Sequence, residues 1–299
     1  MVTLVKRTVR GIPYDYLEHT SRVDGKFAQK SKYLGREIPK DIAKIKSQFT
    51  YEINKEKWFD RFDAIKKNYR REFSELPKSA KEKQLREFSV RFTYDTQRIE
   101  GSTLTFSETA QLLEYGVSPS GKPRNDVEEA EAHNRVFLAM LEQKKELSLQ
   151  LVLYWHRELF KETKPDIAGQ IRRHGVRITG SRFVPPSPVE LQPMLQDFFG
   201  WHGRSARKMH SVELAALVHL GFVTIHPFTD GNGRISRLMM NYVLNKNRYP
   251  MLNIEYKNRN SYYRALERSQ IRHNDGVFAN WFFRRYLREF TRYEKLPMG

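Results

Sequence analysis

His226-Pro-Phe-Thr-Asp-Gly-Asn-Gly-Arg-Ile-Ser-Arg237 is the most informative stretch of this 299-residue chain. It gathers a candidate base (His226), an oxygen ligand suited to a hard metal ion (Asp230), a flexible Gly231-Asn232-Gly233 turn and two cations, Arg234 and Arg237. An amphipathic stretch over 211–224 precedes it, and an apolar helical stretch over 238–244 comes after. The turn therefore feeds a helix N-terminus, where unpaired N–H groups and the macrodipole favour a phosphate. Glycines let the backbone approach that anion closely. The stretch reads as a nucleotide-handling site.

The rest of the chain sets the frame. A length of 299 residues allows one or two domains with a substantial core, and 39% hydrophobic with 13% aromatic residues excludes general disorder. No apolar run approaches the ~20 residues that span a bilayer, and the basic N-terminus lacks a secretory signal pattern. With no cysteine, disulfides, thiolate metal sites and cysteine nucleophiles are excluded. The expectation is a cytoplasmic protein without a membrane segment. The net charge of +18 raises a nucleic-acid reading. Residues 1–100 hold 24 Lys and Arg against 15 Asp and Glu, +9, yet these charges are interspersed rather than blocked. A soluble basic surface is the favoured reading of that charge.

Residues 1–38 differ in pattern from the remainder of the chain. Residues 5–16 and 26–34 alternate loosely about Val23-Asp24-Gly25, which predicts a small basic β-hairpin ending at Gly35. Helical spacing then runs over 49–73, 81–99, 211–224, 260–271 and 275–293, with Gly101 as a stop signal. Thr105–Glu108, Asp126–Glu129 and Ser187–Glu190 match or nearly match capping boxes, the last with Pro188 at its first helical position. Residues 171–184 are rich in β-branched residues and glycine, and predict a second short hairpin before Pro185-Pro186. Gly116 to Lys122 has the spacing of a Walker A loop, but Pro123 replaces Ser or Thr and a helix precedes it, so it reads as a helix–helix connection. Asp230-Gly-Asn-Gly also brushes the calcium-loop pattern, but its spacing fails and two arginines come directly after it.

The opening stretch matches the Fic-domain signature, His-Pro-Phe-x-(Asp/Glu)-Gly-Asn-Gly-Arg-x-x-Arg, at every specified position. The resemblance runs from about Thr93 to Phe290. It implies a mainly α protein, a Fic-type helical bundle with a small β-hairpin flap over the site, here residues 172–183, to which the short N-terminal β-hairpin is added. It also implies a division into 1–38 (basic hairpin), 39–125 (helical region with an inhibitory helix) and 126–299 (Fic core). Fic enzymes typically transfer AMP from ATP to a Ser, Thr or Tyr hydroxyl of a target protein.

The residue types suit that chemistry. An imidazole titrating near ~6.5 lets His226 take the proton of a weakly nucleophilic hydroxyl. Asp230 suits Mg²⁺, which usually bridges substrate phosphates. Gly231, Asn232 and Gly233 would aim N–H donors at the α-phosphate. Arg234 and Arg237, three apart on one helical face, would both reach the β- and γ-phosphates. Phe228 reads as an apolar anchor, and His219 and His210 as structural.

A second segment, Thr96-Gln-Arg-Ile-Glu100-Gly101, matches the (Ser/Thr)-x-x-x-Glu-(Gly/Asn) inhibitory motif of the family. The resemblance implies that Glu100 competes with a triphosphate for Arg237, the class that carries its inhibitor on its own preceding helix. Tyr262, Tyr263 and Gln270 resemble the family's adenine wall. Ile178, Thr179 and Gly180 fall in the flap that clamps the target by strand addition. The leading reading is a self-inhibited protein adenylyltransferase using ATP and Mg²⁺ on a target protein, with homodimers common among relatives. Two alternatives stand beside it: removal of AMP through a water oriented by Glu100, and a nucleic-acid-binding regulator with a secondary Fic site, using the basic N-terminus.

Overall fold

Residues 211–246 decide the architecture, because most side chains of the two successive helices there are buried, which puts both at the centre of the molecule. The computed structural model describes residues 2–23 and 26–295. It opens with three strands, β1 (Val2–Val9), β2 (Ile12–Val23) and β3 (Lys26–Gly35), followed by α1 (Ile42–Glu75), α2 (Lys78–Ile99), α3 (Phe106–Tyr115), α4 (Arg124–Leu141) and α5 (Leu149–Phe160). Then come α6 (Pro188–Ser205), α7 (Ser211–Ile225), α8 (Asn232–Lys246), α9 (Arg259–Arg272), α10 (Asp275–Glu289) and α11 (Thr291–Lys295). The chain is mainly α, as expected.

The N-terminal segment holds three antiparallel strands in the order β1-β2-β3 rather than one hairpin. The stretch expected as a single strand over 5–16 turns back at Arg10-Gly11, both at positive φ. An arginine in the first turn position hides the turn, since left-handed backbone favours glycine or asparagine there. The expected turn at Asp24-Gly25 lies outside the described residues. One face of the sheet buries Val2 and Leu17 against Phe49 and Ile53 of α1. That half-buried sheet covers the first turns of α1, which begin seven residues earlier than the apolar spacing alone indicates.

The largest core cluster runs through α7, α8 and α10. In α7, Val212, Ala215, Ala216, Val218 and Phe222 are fully buried. This helix, expected to be amphipathic, is enclosed on nearly all sides because α8, α6 and α10 pack around it. Thr105 and Ser187 form the expected capping boxes with Glu108 and Glu190, each worth about 1 kcal/mol. Asp126 does not. α4 starts three residues earlier, behind Pro123, and Asp126 instead accepts from the N–H and Oγ1 of Thr103 at 2.6 and 2.7 Å. Gly116, left-handed at φ 70°, ends α3, so the segment with Walker spacing is a connection between helices. Among the described residues no helix is long and apolar enough to cross a membrane.

Two histidines are sealed inside this bundle. Burial first, and then the charges of Arg237 and Arg234, push His133 down to about 3. Burial, with the Arg237 charge behind it, holds His219 well below its ordinary range. Both are neutral when folded but take up protons when unfolded below pH ~6.5. The unfolded state then binds more protons, so the stability these groups contribute is present above that pH and is lost as pH falls below it. Calorimetry should therefore show the thermal midpoint dropping between about pH 6.5 and 5, above the main carboxylate range. A midpoint flat across that window would contradict neutral burial of the two rings.

Candidate active site

The turn between α7 and α8 is built by a reversal at each end. His226 caps α7 in the left-handed region at φ 52°, and Gly231 precedes α8 at φ 82°. Between them Asn232 closes the loop on itself: its Oδ1 accepts from the Phe228 N–H at 2.9 Å and its Nδ2 donates to the Phe228 carbonyl at 2.8 Å. Phe228 is fully buried and stacks on His156, with ring centroids 3.8 Å apart. His156 is oriented in turn, since its Nδ1 accepts from Gly169 N–H at 2.9 Å and its Nε2 lies 3.1 Å from the Asp230 carbonyl. A Cβ on Gly231 would strike the Phe160 ring, so this position accepts only glycine. Phe228 is the anchor expected of it.

These constraints aim the chemical groups. The His226 Nδ1 lies 3.1 Å from the Val223 carbonyl, which can only accept. The neutral ring therefore carries its proton on Nδ1 and leaves the Nε2 lone pair free. Burial lowers its pKa, against the raising effect of that hydrogen bond. The first N–H groups of α8, on Asn232 and Gly233, have no intrahelical acceptor, as at any helix start.

The two arginines face different partners. Arg237 is almost fully buried and lines a cleft of about 740 Å³ together with Glu100, His226, Gly233, Tyr262 and Tyr263. Its Nη2 lies 2.5 Å from Glu100 Oε1. Its Nε donates to Thr96 Oγ1 at 3.3 Å and its Nη1 to the Tyr262 hydroxyl at 3.3 Å. Both specified polar side chains of the 96–101 motif thus meet on one guanidinium. Burial opposes the charge on Arg237, but Glu100 outweighs it and holds the group protonated. A Cβ on Gly233 would strike Glu100 Oε1, so the carboxylate also sits directly against the helix start.

Arg234 corrects the expectation of a shared phosphate face. It is buried away from the cleft, over the Phe160 ring at 4.5 Å, and bound to Glu129 and to Asp230 at 2.9 Å. The physical reason is an acidic pair on its own side of α8. Asp230 is further held by Lys164, whose Nζ lies 2.7 Å from its Oδ2 and 2.8 Å from Glu129 Oε1. Burial pushes the Asp230 carboxyl up, but Arg234 and Lys164 outweigh it and keep it ionised well below the usual range. Glu129 and Lys164 escaped sequence reading; Glu129 lies within the near-capping box at 126–129, and its true partners lie 35 and 105 residues away in sequence.

The adenine-wall candidates do line the cleft. Tyr262 is buried with its hydroxyl between Arg237 and His219 Nε2, 2.9 Å from the latter. Tyr263 donates to the Ile99 carbonyl at 2.8 Å, and Gln270 donates to Thr224 at 3.2 Å. His219 is structural, stacked on Phe278. His210 caps α7 and stacks on Phe59.

Ile178, Thr179 and Gly180 border the same cleft. Their segment forms a turn closed by Ser181 N–H to the Ile178 carbonyl at 3.1 Å, but it carries no strand ladder, so the expected hairpin is an irregular loop. An isolated two-stranded hairpin is marginal without further strands to pair with; side chains hold the loop instead. Glu267 accepts from Arg182 N–H at 2.7 Å. Arg172, which sequence reading took only as the start of the flap, is buried and donates to the carbonyls of His226 (2.8 Å), His174 (2.8 Å) and Pro186 (2.6 Å). One guanidinium thus ties both ends of the loop to the candidate base.

With this geometry in place, comparison with known proteins is informative. Residues 146–244 match the Fic/DOC family. A "Protein adenylyltransferase Fic" of Drosophila ananassae is 36% identical over 178 residues, covering 58% of this chain and 35% of that protein. Its counterpart from Drosophila virilis is 36% identical over the same span, with 36% of that protein covered. The chain therefore spans about a third of the length of these curated relatives. Fic-1 from C. elegans superposes with a TM-score of 0.71 at 26% identity, covering 87% of this chain and 78% of that one. A Fic-domain signaling protein from Bacteroides thetaiotaomicron gives 0.67 at 27% identity, with 78% and 97% covered.

Arg172→Ala removes three charge-assisted hydrogen bonds and should lower stability by about 2–4 kcal/mol. It should also expose the 173–182 loop to trypsin at Arg173, Arg177 and Arg182, with Arg172→Lys intermediate. Unchanged melting and unchanged cleavage would contradict the tie.

Proposed function

We propose that this Fic domain is a protein adenylyltransferase, transferring AMP from ATP to a Ser, Thr or Tyr hydroxyl of a target protein and held off by Glu100. The observation that carries the reading is the free Nε2 of His226 in the same cleft as the Glu100–Arg237 pair. The target oxygen attacks the α-phosphorus, its proton passes to His226 Nε2, and the bond to pyrophosphate breaks. The open N–H groups at the start of α8 face the charge that develops on the α-phosphate. Names of the relatives as adenylyltransferases support the same reaction.

Among the described residues no group of three or more metal-ligating side chains occurs. Asp230 alone still fits Mg²⁺, because that ion commonly takes one carboxylate and completes its shell with substrate phosphates and water. Asp230 is ionised and would hold it, and the ion would neutralise phosphate charge. Lys164 and Arg234, which satisfy the carboxylate here, are the groups that must give way or share it.

Glu100 acts by occupying the guanidinium that would otherwise receive a terminal phosphate. A charge-assisted hydrogen bond to a buried group contributes about 1.5–3 kcal/mol, equivalent to roughly a 10- to 150-fold change in occupancy. Incubation with α-labelled ATP and Mg²⁺ should thus show about 10- to 100-fold stronger self-labelling by Glu100→Gly than by the parent chain, and none by His226→Ala. Equal labelling by the parent and Glu100→Gly would remove the inhibitory assignment, and persistent labelling by His226→Ala would remove the base.

The pH profile of Glu100→Gly gives a second check. A lowered folded pKa keeps His226 deprotonated through neutral pH, so the acid limb of activity should lie below the ordinary imidazole value of ~6.5. An acid limb centred above pH 7 would contradict the role of burial.

A further inference from the structure

Part of the positive charge gathers in a place that linear reading did not single out. A groove of about 600 Å³ lies between the first half of α1 and the outer faces of α9 and α10, and five arginines line it: Arg264, Arg268, Arg284, Arg285 and Arg288. Among the described residues no acidic side chain lines it. Arg264 and Arg268 are separated by one turn on α9, and Arg284 and Arg288 likewise on α10, which spaces each pair by about 6 Å along the groove. Arg285 is paired with Glu255 and Glu289. Among the described residues Arg268, Arg284 and Arg288 are exposed, and their guanidinium groups have no ion-pair or hydrogen-bond partner.

The remaining wall carries polar groups beside Ala265, Val277 and Trp281. Ser47 and Thr50 of α1 contribute hydroxyls, and Asn280 of α10 contributes a buried Oδ1 with no partner. The Arg285 Nε is likewise buried and unpaired. Arginine, serine, threonine and asparagine are the groups that hold phosphate and sugar oxygens, and arginine does so with two parallel N–H bonds. A protein ligand of this size would instead need apolar anchors in the centre of its interface. The one large aromatic on the wall, Trp281, is engaged through its indole N–H with Ser261 Oγ at 3.3 Å.

We propose that the α1–α9–α10 groove binds the sugar–phosphate backbone of single-stranded nucleic acid, with little preference for base sequence. The neighbouring sheet is a poorer candidate, although it packs on the same half of α1: Arg7 is already paired with Glu18. The groove lies across α9 from the cleft, with Arg264 bordering both. It does not depend on the adenylyl-transfer reading.

The test is fluorescence anisotropy of the whole chain with labelled single strands of about 20 nucleotides and two unrelated sequences, titrated with salt. Arg268→Gln/Arg284→Gln/Arg288→Gln is compared with Lys6→Gln/Arg10→Gln/Lys32→Gln, which removes the same charge from exposed positions of the sheet. The groove triple should weaken binding at least about tenfold and flatten the log K against log salt slope by about 2, with the sheet triple within about twofold of the parent. Both triples should keep the parent melting temperature, because the substituted side chains are exposed. Equal weakening by the two triples would overturn the site in favour of diffuse charge. Absence of parent binding tighter than about 100 μM near physiological salt would overturn it also, as would a polyglutamate chain competing as well as the nucleic acid.

Discussion

A guanidinium is costly to bury unless partners satisfy its donors and offset its charge. Arg237 sits almost wholly out of water, and removing one partner from such a pair leaves an uncompensated charge at a cost of several kcal/mol. The carboxylate of Glu100 meets that requirement from the C-terminal end of α2, 137 residues earlier in the chain. Any phosphate that enters the cleft to reach Arg237 must displace it. The same constraint draws α2 onto α8 and α9, because Thr96 and Tyr262 take further donor positions of the guanidinium.

A second constraint works beside it. The loop before α8 is closed by Asn232 on Phe228 and backed by His156, and it is bounded by left-handed residues at His226 and Gly231. Its backbone has no slack. The imidazole at one end and the N–H groups at the other are held toward one cleft, and Arg172 extends the rigidity outward to the 173–186 loop. Positioning here comes from packed backbone and charge-assisted bonds to carbonyls rather than from a sheet.

Legibility in the sequence tracked the range of the forces involved. The helices announced themselves through apolar spacing, and the caps at Thr105 and Ser187 through contacts within one turn. Asp126–Glu129 shows where local pattern misleads: both carboxylates found stronger partners elsewhere, Asp126 in Thr103 and Glu129 in Arg234 and Lys164. The turn at Arg10-Gly11 was hidden because its first residue has a side chain that disfavours its own conformation. The arginine groove was equally hidden, since its charges come from helices α9 and α10 and are assembled only by packing.

By itself the sequence determined the α7–turn–α8 unit, with His226, the glycines and the arginines it carries, and the helix that ends in Glu100. These are local matters, set by side-chain type and by spacing along a helix. Tertiary structure decided which way each arginine faces. Arg234 and Arg237 lie one turn apart, yet one enters a network with Glu129, Asp230 and Lys164 and the other meets Glu100. The reason is that a buried cation turns to the nearest carboxylate, and which carboxylate is nearest is settled only when distant helices pack.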